Sequence, residues 1–281
     1  MAITRELIAI TKGMAASDGA GVKLTRLIGS PDLNLLDPFL LLDSFESSSA
    51  DDYLAGFPPH PHRGFETVTY MLEGKMRHKD SAGNEGVISN GGVQWMTAGS
   101  GIIHSEMPEQ ESGMMQGFQL WVNLPKVAKM SAPNYQEYDA KDIAHEKSSS
   151  GSIVKVIAGI TDNATQGVIK NDYVRPSYMD VDLPISEMFT QTVLAEENSL
   201  VYVISGEVLI GEKQKKLSAK HLGVLSKGEK VLVIASQQAR FIFLSALPLN
   251  EPIARGGPFV MNTQAEVEQA FSDYRNNCFI K

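Results

Sequence analysis

Cysteine is almost absent from this chain, since Cys278 is the only one among 281 residues. One thiol cannot form an intramolecular disulfide, and nothing else in the composition indicates an oxidising compartment. No apolar run approaches the roughly 20 residues that a membrane-spanning helix needs. The N-terminal stretch MAITRELIAITKGMAASDG is interrupted by Arg5, Glu6 and Lys12, which is unlike a secretory signal. We therefore expect a cytoplasmic protein with no membrane association.

Positive charge is also in short supply. The chain has 25 Lys and Arg against 33 Asp and Glu, for a formal net charge of −8. Non-specific binding to a nucleic-acid backbone depends on clustered Lys and Arg. The basic run KQKK at 213–216 is short and typical of a solvated hairpin turn. The acidic balance argues against direct nucleic-acid binding and suits a protein partner with a basic surface.

Strand-length apolar runs make up most of what the sequence does contain. They are rich in Val, Ile and aromatic residues and recur along the whole chain. Turn residues such as Glu73-Gly74, Asn90-Gly91-Gly92 and Ser205-Gly206 separate them. This spacing is typical of antiparallel strands in a sandwich or a barrel, so we predict an all-β fold.

A capping box predicts one helix near the C-terminus. Thr263 is followed three residues later by Glu266, the pattern in which each residue caps the other's backbone N–H. The next apolar residues fall on one face of that helix: Val267, Ala270, Phe271 and Tyr274. We expect this face to dock onto a sheet.

The length of the chain predicts two domains, because all-β domains usually hold about 100 to 150 residues. The segment that ends in KSSSGS is the most linker-like part of the sequence and covers 136–152. We therefore predict an N-terminal domain at 1–135 and a C-terminal domain at 153–281.

An internal repeat supports this division. A shift of 132 positions aligns FPPHPHRGFETVTYMLEG at 57–74 with FTQTVLAEENSLVYVISG at 189–206 without a gap. The overlay predicts two copies of one β fold. It also sets two histidines against residues that do not bind metals: His60 against Thr192 and His62 against Leu194. The second copy is therefore expected to lack whatever site the first one holds.

Four side chains in two short motifs predict a metal site. His60 and His62 stand two positions apart, as do His104 and Glu106, and residues at i and i+2 of a strand project to the same face. Three imidazoles and one carboxylate suit Fe(II), Mn, Co, Ni, Cu or Zn, whereas Ca and Mg prefer oxygen ligands. Four protein ligands leave positions open for water, O2 or substrate, so we predict a site that does chemistry or sensing.

The role of Glu66 stays open between three alternatives. It lies four residues beyond His62 on the same predicted strand face. It could be a ligand, a carboxylate that orients a metal-bound imidazole, or a structural residue, and we favour the orienting role.

Other polar and aromatic residues are expected to lie outside the site. His78, in the charged segment KMRHKDSAGNE, is expected in a solvated loop, as are His145 and His221. Trp121 is expected in the core. Trp95 fits the core or an aromatic pocket near the metal equally well.

Four segments closely resemble the pirin family within the cupin superfamily: HPHRGFETVTYMLEG, WMTAGSGIIHSEMP, FQLWVNLP and GGPFVMNT. The resemblance runs from about residue 20 to the C-terminus. It implies two cupin β-barrel domains of the double-stranded β-helix, or jelly-roll, type, the first metal-binding and the second degenerate. It also implies that the family's three histidines and one glutamate fall on His60, His62, His104 and Glu106.

The resemblance implies two classes of function. One is a metal-dependent dioxygenase, most simply an Fe(II) enzyme, that opens a flavonol-like ring such as that of quercetin with O2 and releases CO. Glu106 would take the proton of the substrate hydroxyl. The other is a metal- or redox-dependent regulator that binds a protein partner, either a transcriptional co-regulator or a metabolic enzyme. We favour the enzyme, because basic clusters typical of nuclear localisation and nucleic-acid motifs are absent from the sequence.

Overall fold

The computed structural model describes residues 2–280, and strands dominate it. Helical structure in this range is limited to one α-helix, α1 (Gln264–Arg275), and two short 3-10 turns. None of the described helices is long and apolar enough to cross a bilayer. The strands follow one another in this order: β1 (Leu7–Thr11), β2 (Met14–Asp18), β3 (Val22–Ile28), β4 (Phe39–Ser47), β5 (Phe57–His62), β6 (Phe65–Glu73), β7 (Met76–Asp80), β8 (Glu85–Ile88), β9 (Val93–Thr97), β10 (Ile102–Pro108), β11 (Met115–Asn123), β12 (Asn134–Tyr138), β13 (Ala144–Lys147), β14 (Ile153–Ala158), β15 (Ser177–Leu183), β16 (Met188–Thr192), β17 (Asn198–Ser205), β18 (Glu207–Ile210), β19 (Lys215–Ser218), β20 (Leu222–Leu225), β21 (Lys230–Ala235), β22 (Ala239–Ala246), β23 (Ala254–Gly256) and β24 (Phe259–Met261).

The chain forms two compact units, and neither is a continuous stretch of sequence. The first contains 14–140 and the residues from Leu249 onward, and the second contains the residues up to Gly13 and 141–248. The predicted single boundary within 136–152 differs from this arrangement. It would place the residues up to Gly13 with the first unit and those from Leu249 onward with the second, and it would treat strand β13 as part of a linker. Backbone pairing places the two ends of the chain in these units. Strand β1 pairs with β20 in the second unit, and Val260 N donates to Arg63 O at 3.0 Å in the first.

Each unit has the same sheet topology, in agreement with the predicted repeat. In the first unit the strand orders are β12-β9-β6-β11-β4-β3-β2 and β5-β10-β7-β8. In the second unit they are β1-β20-β17-β22-β15-β14-β13 and β16-β21-β18-β19. Strand β5 therefore corresponds to β16 and β6 to β17, as the 132-residue shift predicts. The all-β expectation is confirmed.

The interior of the second unit is apolar. Phe189, Phe241 and Phe243 pack together with ring centroids 5.7 Å apart for each pair that includes Phe189, inside a cluster of buried Val, Leu and Ile side chains. Burial of such side chains stabilises the fold by about 1.5–3 kcal/mol each. Apolar side chains occupy this core, whereas the first unit has buried histidines beside a cavity.

Helix α1 begins as the capping box predicts. Thr263 N donates to Glu266 Oε2 at 2.8 Å, and Glu266 N donates to Thr263 Oγ1 at 3.3 Å. Val267 and Ala270 are buried, whereas two further residues of the predicted face remain partly exposed at its edge: Phe271 and Tyr274. The helix contacts the β23–β24 hairpin, so it docks on a two-stranded sheet of the first unit.

Candidate metal centre

Strands β5 and β10 bring the three predicted histidines together. The strands pair antiparallel, with His60 directly opposite His104, and His62 lies two residues further along β5. The ring centroids are 4.7 Å apart for His60 and His62, 4.4 Å for His60 and His104, and 4.9 Å for His62 and His104. One ring nitrogen from each histidine lies within 4.8 Å of the others, so the group is able to hold a metal ion. No other such group of His, Cys, Asp or Glu occurs in residues 2–280.

Backbone carbonyls determine which nitrogen carries the proton in two of these rings. His60 Nδ1 lies 2.8 Å from Pro58 O, and His62 Nδ1 lies 3.3 Å from Pro258 O. A carbonyl only accepts, so each Nδ1 is protonated and each neutral ring presents an unprotonated Nε2. These two Nε2 atoms are 3.0 Å apart. Two lone pairs at that distance repel unless a shared cation offsets them, which fits a pair of metal ligands.

His104 is oriented by a chain of side chains from strand β7. Its Nδ1 lies 3.4 Å from Nδ1 of His78, and Nε2 of His78 lies 3.1 Å from Asp80 Oδ2. The carboxylate accepts the Nε2 proton of His78, so Nδ1 of His78 accepts the Nδ1 proton of His104. Nε2 of His104 is then unprotonated, and it is buried without a hydrogen-bond partner in the described chain. A bound metal would satisfy this atom.

The expectation that His78 is a solvated loop residue is wrong. Its side chain is 1% exposed, and it lies on β7. The segment reads as a charged turn because Arg77 and Lys79 flank the histidine. Alternate residues of a strand face opposite sides, so these charges point outward while His78 and Asp80 point inward. The period-two pattern of Met76, His78 and Asp80 was the signal that could have identified this strand.

The two histidines of the second unit are more exposed to solvent than His78, which is nearer to what the sequence predicts. His145 is exposed, as predicted, but it lies on strand β13 and not in a loop. His221 is half-buried, and its Nδ1 lies 2.9 Å from the carbonyl of Ala219, which makes it a locally bonded residue and not a fully solvated one.

Burial keeps two histidines of the cluster neutral. Desolvation lowers the pKa of His62 well below its ordinary value, and the neighbouring His60 lowers it further. Desolvation also lowers the pKa of His104, followed by the nearby imidazoles of His62, His60 and His78. A neutral imidazole is the form that binds a metal, so these rings are prepared for ligation at neutral pH.

Glu106 lies in the same cavity as the histidines but outside the group of three ring nitrogens. It is buried on β10 and lines the cavity together with His60 and His62. A register shift between His104 and Glu106 sets Glu106 opposite Phe57 in the ladder with β5. Its role as the fourth ligand stays a prediction.

Thr69 and Gln119 hold the Glu106 carboxylate. Thr69 Oγ1 lies 2.6 Å from Glu106 Oε1, and Gln119 Nε2 donates to Glu106 Oε2 at 3.4 Å. Thr69 Oγ1 also lies 2.6 Å from Gln119 Oε1. A hydroxyl has one proton to donate but can also accept. Thr69 can therefore donate to Gln119 Oε1 while its oxygen accepts a hydrogen bond from the Glu106 carboxyl group in its protonated form.

Glu66 lies on β6, in the other sheet of this unit. It is buried, it pairs with Thr97 in the β6–β9 ladder, and it accepts a hydrogen bond from Thr97 Oγ1 at 2.7 Å. Its carboxylate does not belong to the group of candidate ligands. The predicted role in orienting an imidazole stays a prediction.

A cavity of about 520 Å3 opens beside the histidines, and Trp121 forms part of its wall. The expectation of a core position for Trp121 is only partly right, because this half-buried ring packs against the core residues Leu40, Phe65 and Val260 and also faces the cavity. Along β11, Leu120 and Val122 are fully buried on one face, while Gln119 and Trp121 lie on the opposite face and line the cavity. The Trp121 ring lies 5.2 Å from that of His62. Trp95, whose position was open, is buried on β9 and does not line this cavity.

Comparison with known proteins agrees with the fold. Two family models match the chain: Pirin at 21–122 and Pirin C-terminal cupin domain at 178–280. The chain belongs to the pirin family. It therefore has two cupin domains, and the predicted fold class is confirmed.

Three similar proteins illustrate the range of the family. The chain is 50% identical over 276 residues to a pirin-like protein of Caulobacter vibrioides, which covers 98% of this chain and 99% of the relative. It is 42% identical to the Homo sapiens protein named pirin, with 92% of this chain and 89% of the relative covered. A crystal structure named quercetin 2,3-dioxygenase, from Acinetobacter baumannii, is 34% identical with a TM-score of 0.89 and 99% of each chain covered.

Proposed function

We propose that this pirin is a metal-dependent dioxygenase that opens a flavonol-like aromatic ring with O2 and releases CO. In this proposal His60, His62, His104 and Glu106 hold one divalent transition ion. The observation that carries it is the convergence of three imidazoles, one with a buried and unpartnered Nε2, at the edge of a cavity with an aromatic wall. The similarity to the Acinetobacter baumannii structure named quercetin 2,3-dioxygenase supports the substrate class.

The donor set suits the ion that the reaction requires. Three imidazoles and one carboxylate match Fe(II), Mn, Ni, Co, Cu or Zn, and we propose Fe(II) as the native ion. When bound, the ion supplies Lewis acidity and redox chemistry next to the cavity. The hydrogen bonds of His60 and His62 to backbone carbonyls hold both rings in the ligating tautomer, so the protein determines the geometry before the metal binds.

Glu106 is the proposed general base. Its carboxylate lines the cavity, so it can take the proton of a substrate hydroxyl that points toward the histidines. Gln119 Nε2 donates to the carboxylate, and the Thr69 hydroxyl can donate to the ionised carboxylate or accept a hydrogen bond once the carboxyl group has taken the proton. Loss of this proton leaves an enolate or phenolate oxygen, whose charge delocalises into the ring and makes the ring reactive toward O2.

The cavity would position a planar substrate beside the histidines. Trp121 offers one flat aromatic face beside His62. Apolar side chains contribute much of the lining, among them Leu24, Leu41, Phe45 and Met76. A ring that enters this cavity would lie between an aromatic wall and the metal ligands.

Oxygen uptake tests the proposal. The metal-stripped protein is reloaded in turn with Fe(II), Mn, Ni, Co and Cu, and O2 consumption and CO release are measured with quercetin. At least one metal should support consumption of one O2 for each CO released, and His104→Ala should abolish it. His145→Ala is the matched control, because this histidine is exposed and lies in the other unit. No O2 consumption with any of the five metals would overturn the proposal.

A second candidate function is metal-dependent regulation of a protein partner. The net charge of −8 favours a partner with a basic surface. In this case the same four residues set the metal state, and the metal state sets the affinity for the partner. Pull-down experiments with the apo, ferrous and ferric forms test this alternative. Identical partners and amounts for all three forms would refute it.

A further inference from the structure

Arg255 reaches the cavity from a part of the chain remote from the histidine motifs. It is the central residue of β23 and lines the cavity, with its side chain partly open to solvent at the mouth. The next residue, Gly256, faces helix α1, because a Cβ at that position would lie 2.6 Å from Val267 Cγ1. Successive residues of a strand face opposite sides. The close packing of Gly256 on the helix therefore directs Arg255 toward the cavity.

The Arg255 guanidinium lies over the aromatic wall beside the metal ligands. Its central carbon is 4.8 Å from the centre of the Trp121 ring, and that ring is 5.2 Å from the ring of His62. Since the two distances share the Trp121 ring, the guanidinium carbon lies within about 10 Å of the His62 ring. One bound aromatic molecule can span that distance.

Arg255 makes no direct ion pair with any described residue, although the nearby carboxylates of Asp43 and Asp18 attract its charge and the guanidinium of Arg26 repels it. In the described chain its guanidinium makes the cation–π contact with Trp121 and no hydrogen bond or salt bridge. The two nearby carboxylates are already engaged by Arg26, which donates to Asp43 Oδ1 at 3.0 Å, to Asp43 Oδ2 at 2.8 Å and to Asp18 Oδ2 at 2.8 Å. The remaining oxygen, Asp18 Oδ1, accepts from the backbone N–H of Gly19. The N–H groups of Arg255 are thus available to a ligand.

We infer that Arg255 binds an acidic group of the substrate, so that the natural substrate is a planar aromatic anion held at two points. One oxygen faces the histidines and Glu106, and a carboxylate or acidic phenol at the other end pairs with Arg255. A guanidinium matches a carboxylate through two parallel N–H donors, and the ring between the two points stacks on Trp121. This inference rests on the proposed function and narrows its substrate class from neutral flavonols to acidic aromatics.

Two probes that differ by one carboxylate test the inference. Catechol and 3,4-dihydroxybenzoate are titrated into the Zn(II)-loaded protein, which is redox-silent, and each Kd is measured by calorimetry and by quenching of tryptophan fluorescence. The carboxylate should improve the affinity of the wild-type protein by about tenfold or more, as a charge-assisted hydrogen bond would. In Arg255→Gln the ratio of the two Kd values should fall to near one, and Arg255→Lys should keep part of it.

Arg275→Gln is the matched control, because this arginine is exposed near the end of α1 in the same unit. It should retain the wild-type ratio. Equal affinity of the wild-type protein for the two probes, or an undiminished ratio of the Kd values in Arg255→Gln, would overturn the inference about Arg255. If catechol still binds in that case, the proposed function is not affected. Failure of both probes to bind the wild-type protein would overturn both.

Discussion

Mild acid should destabilise the metal-free first unit, and the cause is the pair of buried histidines. Burial lowers the pKa of His62 and of His104 well below 6.5 in the folded protein. In the unfolded chain both titrate near 6.5. As the pH falls through 6.5, the unfolded state therefore binds two protons that the folded state does not bind, and the free energy of unfolding decreases.

The size of the effect follows from this proton difference. Each histidine that is protonated only in the unfolded state costs up to about 1.4 kcal/mol per pH unit below 6.5. Two such histidines should lower the free energy of unfolding by about 2.7 kcal/mol between pH 7.5 and pH 5.5. Asp80 and Glu109, whose pKa values are lowered in the folded state, lose their contribution at more acidic pH, so they do not affect this window.

Urea unfolding followed by tryptophan fluorescence, in the presence of a chelator, measures this loss. The assay reports on the right unit, because Trp95 and Trp121 both lie in the unit that contains the histidines. A double variant, His62→Gln with His104→Gln, should lose most of the pH dependence, whereas His145→Gln should keep it. A wild-type loss below about 1 kcal/mol, or the same loss in the double variant, would refute the reasoning.

Three further predictions concern the neighbours of the site and the core. His78→Leu should weaken Co(II) affinity by about 10- to 100-fold, because it removes the acceptor for Nδ1 of His104, and Asp80→Ala should act in the same direction, because it removes the carboxylate that holds the tautomer of His78; competition with a chelator measures both, and a change below about threefold would count against the relay. Thr69→Val should lower kcat with quercetin by about tenfold while Thr69→Ser stays near wild type, because Ser keeps the hydroxyl that hydrogen-bonds Glu106 and Val does not. Equal rates in the two variants would contradict this role of Thr69. Lys129→Met should lower the free energy of unfolding by about 2 to 4 kcal/mol, measured by urea unfolding. The buried ammonium donates hydrogen bonds at 2.8 to 2.9 Å to three oxygens that the substitution leaves without this donor: Gly64 O, Asn123 Oδ1 and Val260 O. An unchanged midpoint of urea unfolding would contradict this prediction.

The histidine motifs could be predicted from the sequence because their geometry is local. Residues two positions apart on a strand share a face, so the pair of His60 and His62 shows itself without knowledge of the fold. The histidines of β5 and β10 meet because the two strands pair, and the Gly-rich turn before His104 was enough to suggest a second strand. The repeat likewise predicted the matching sheet orders of the two units.

The residues that sequence analysis misplaced depend on contacts between distant segments. His78 is buried because β7 pairs with β10, and its charged neighbours hid the strand pattern. Trp121 alternates in the same way as a core residue, and only the fold shows which side of β11 faces the cavity. Arg255 carries no local motif that links it to histidines that lie between 151 and 195 positions earlier. The positions of the chain ends follow from edge pairing such as that of β1 with β20.

The central claim is that His60, His62, His104 and Glu106 hold one divalent ion, and metal content after loading tests it most directly. The protein is saturated with Co(II), passed through a desalting column and analysed for metal per chain. Wild type and the control His145→Ala should retain about one ion per chain, and alanine at any of the four positions should leave less than about a tenth of that. Wild-type protein that retains no metal, or full retention in Glu106→Ala or in a histidine variant, would contradict the account.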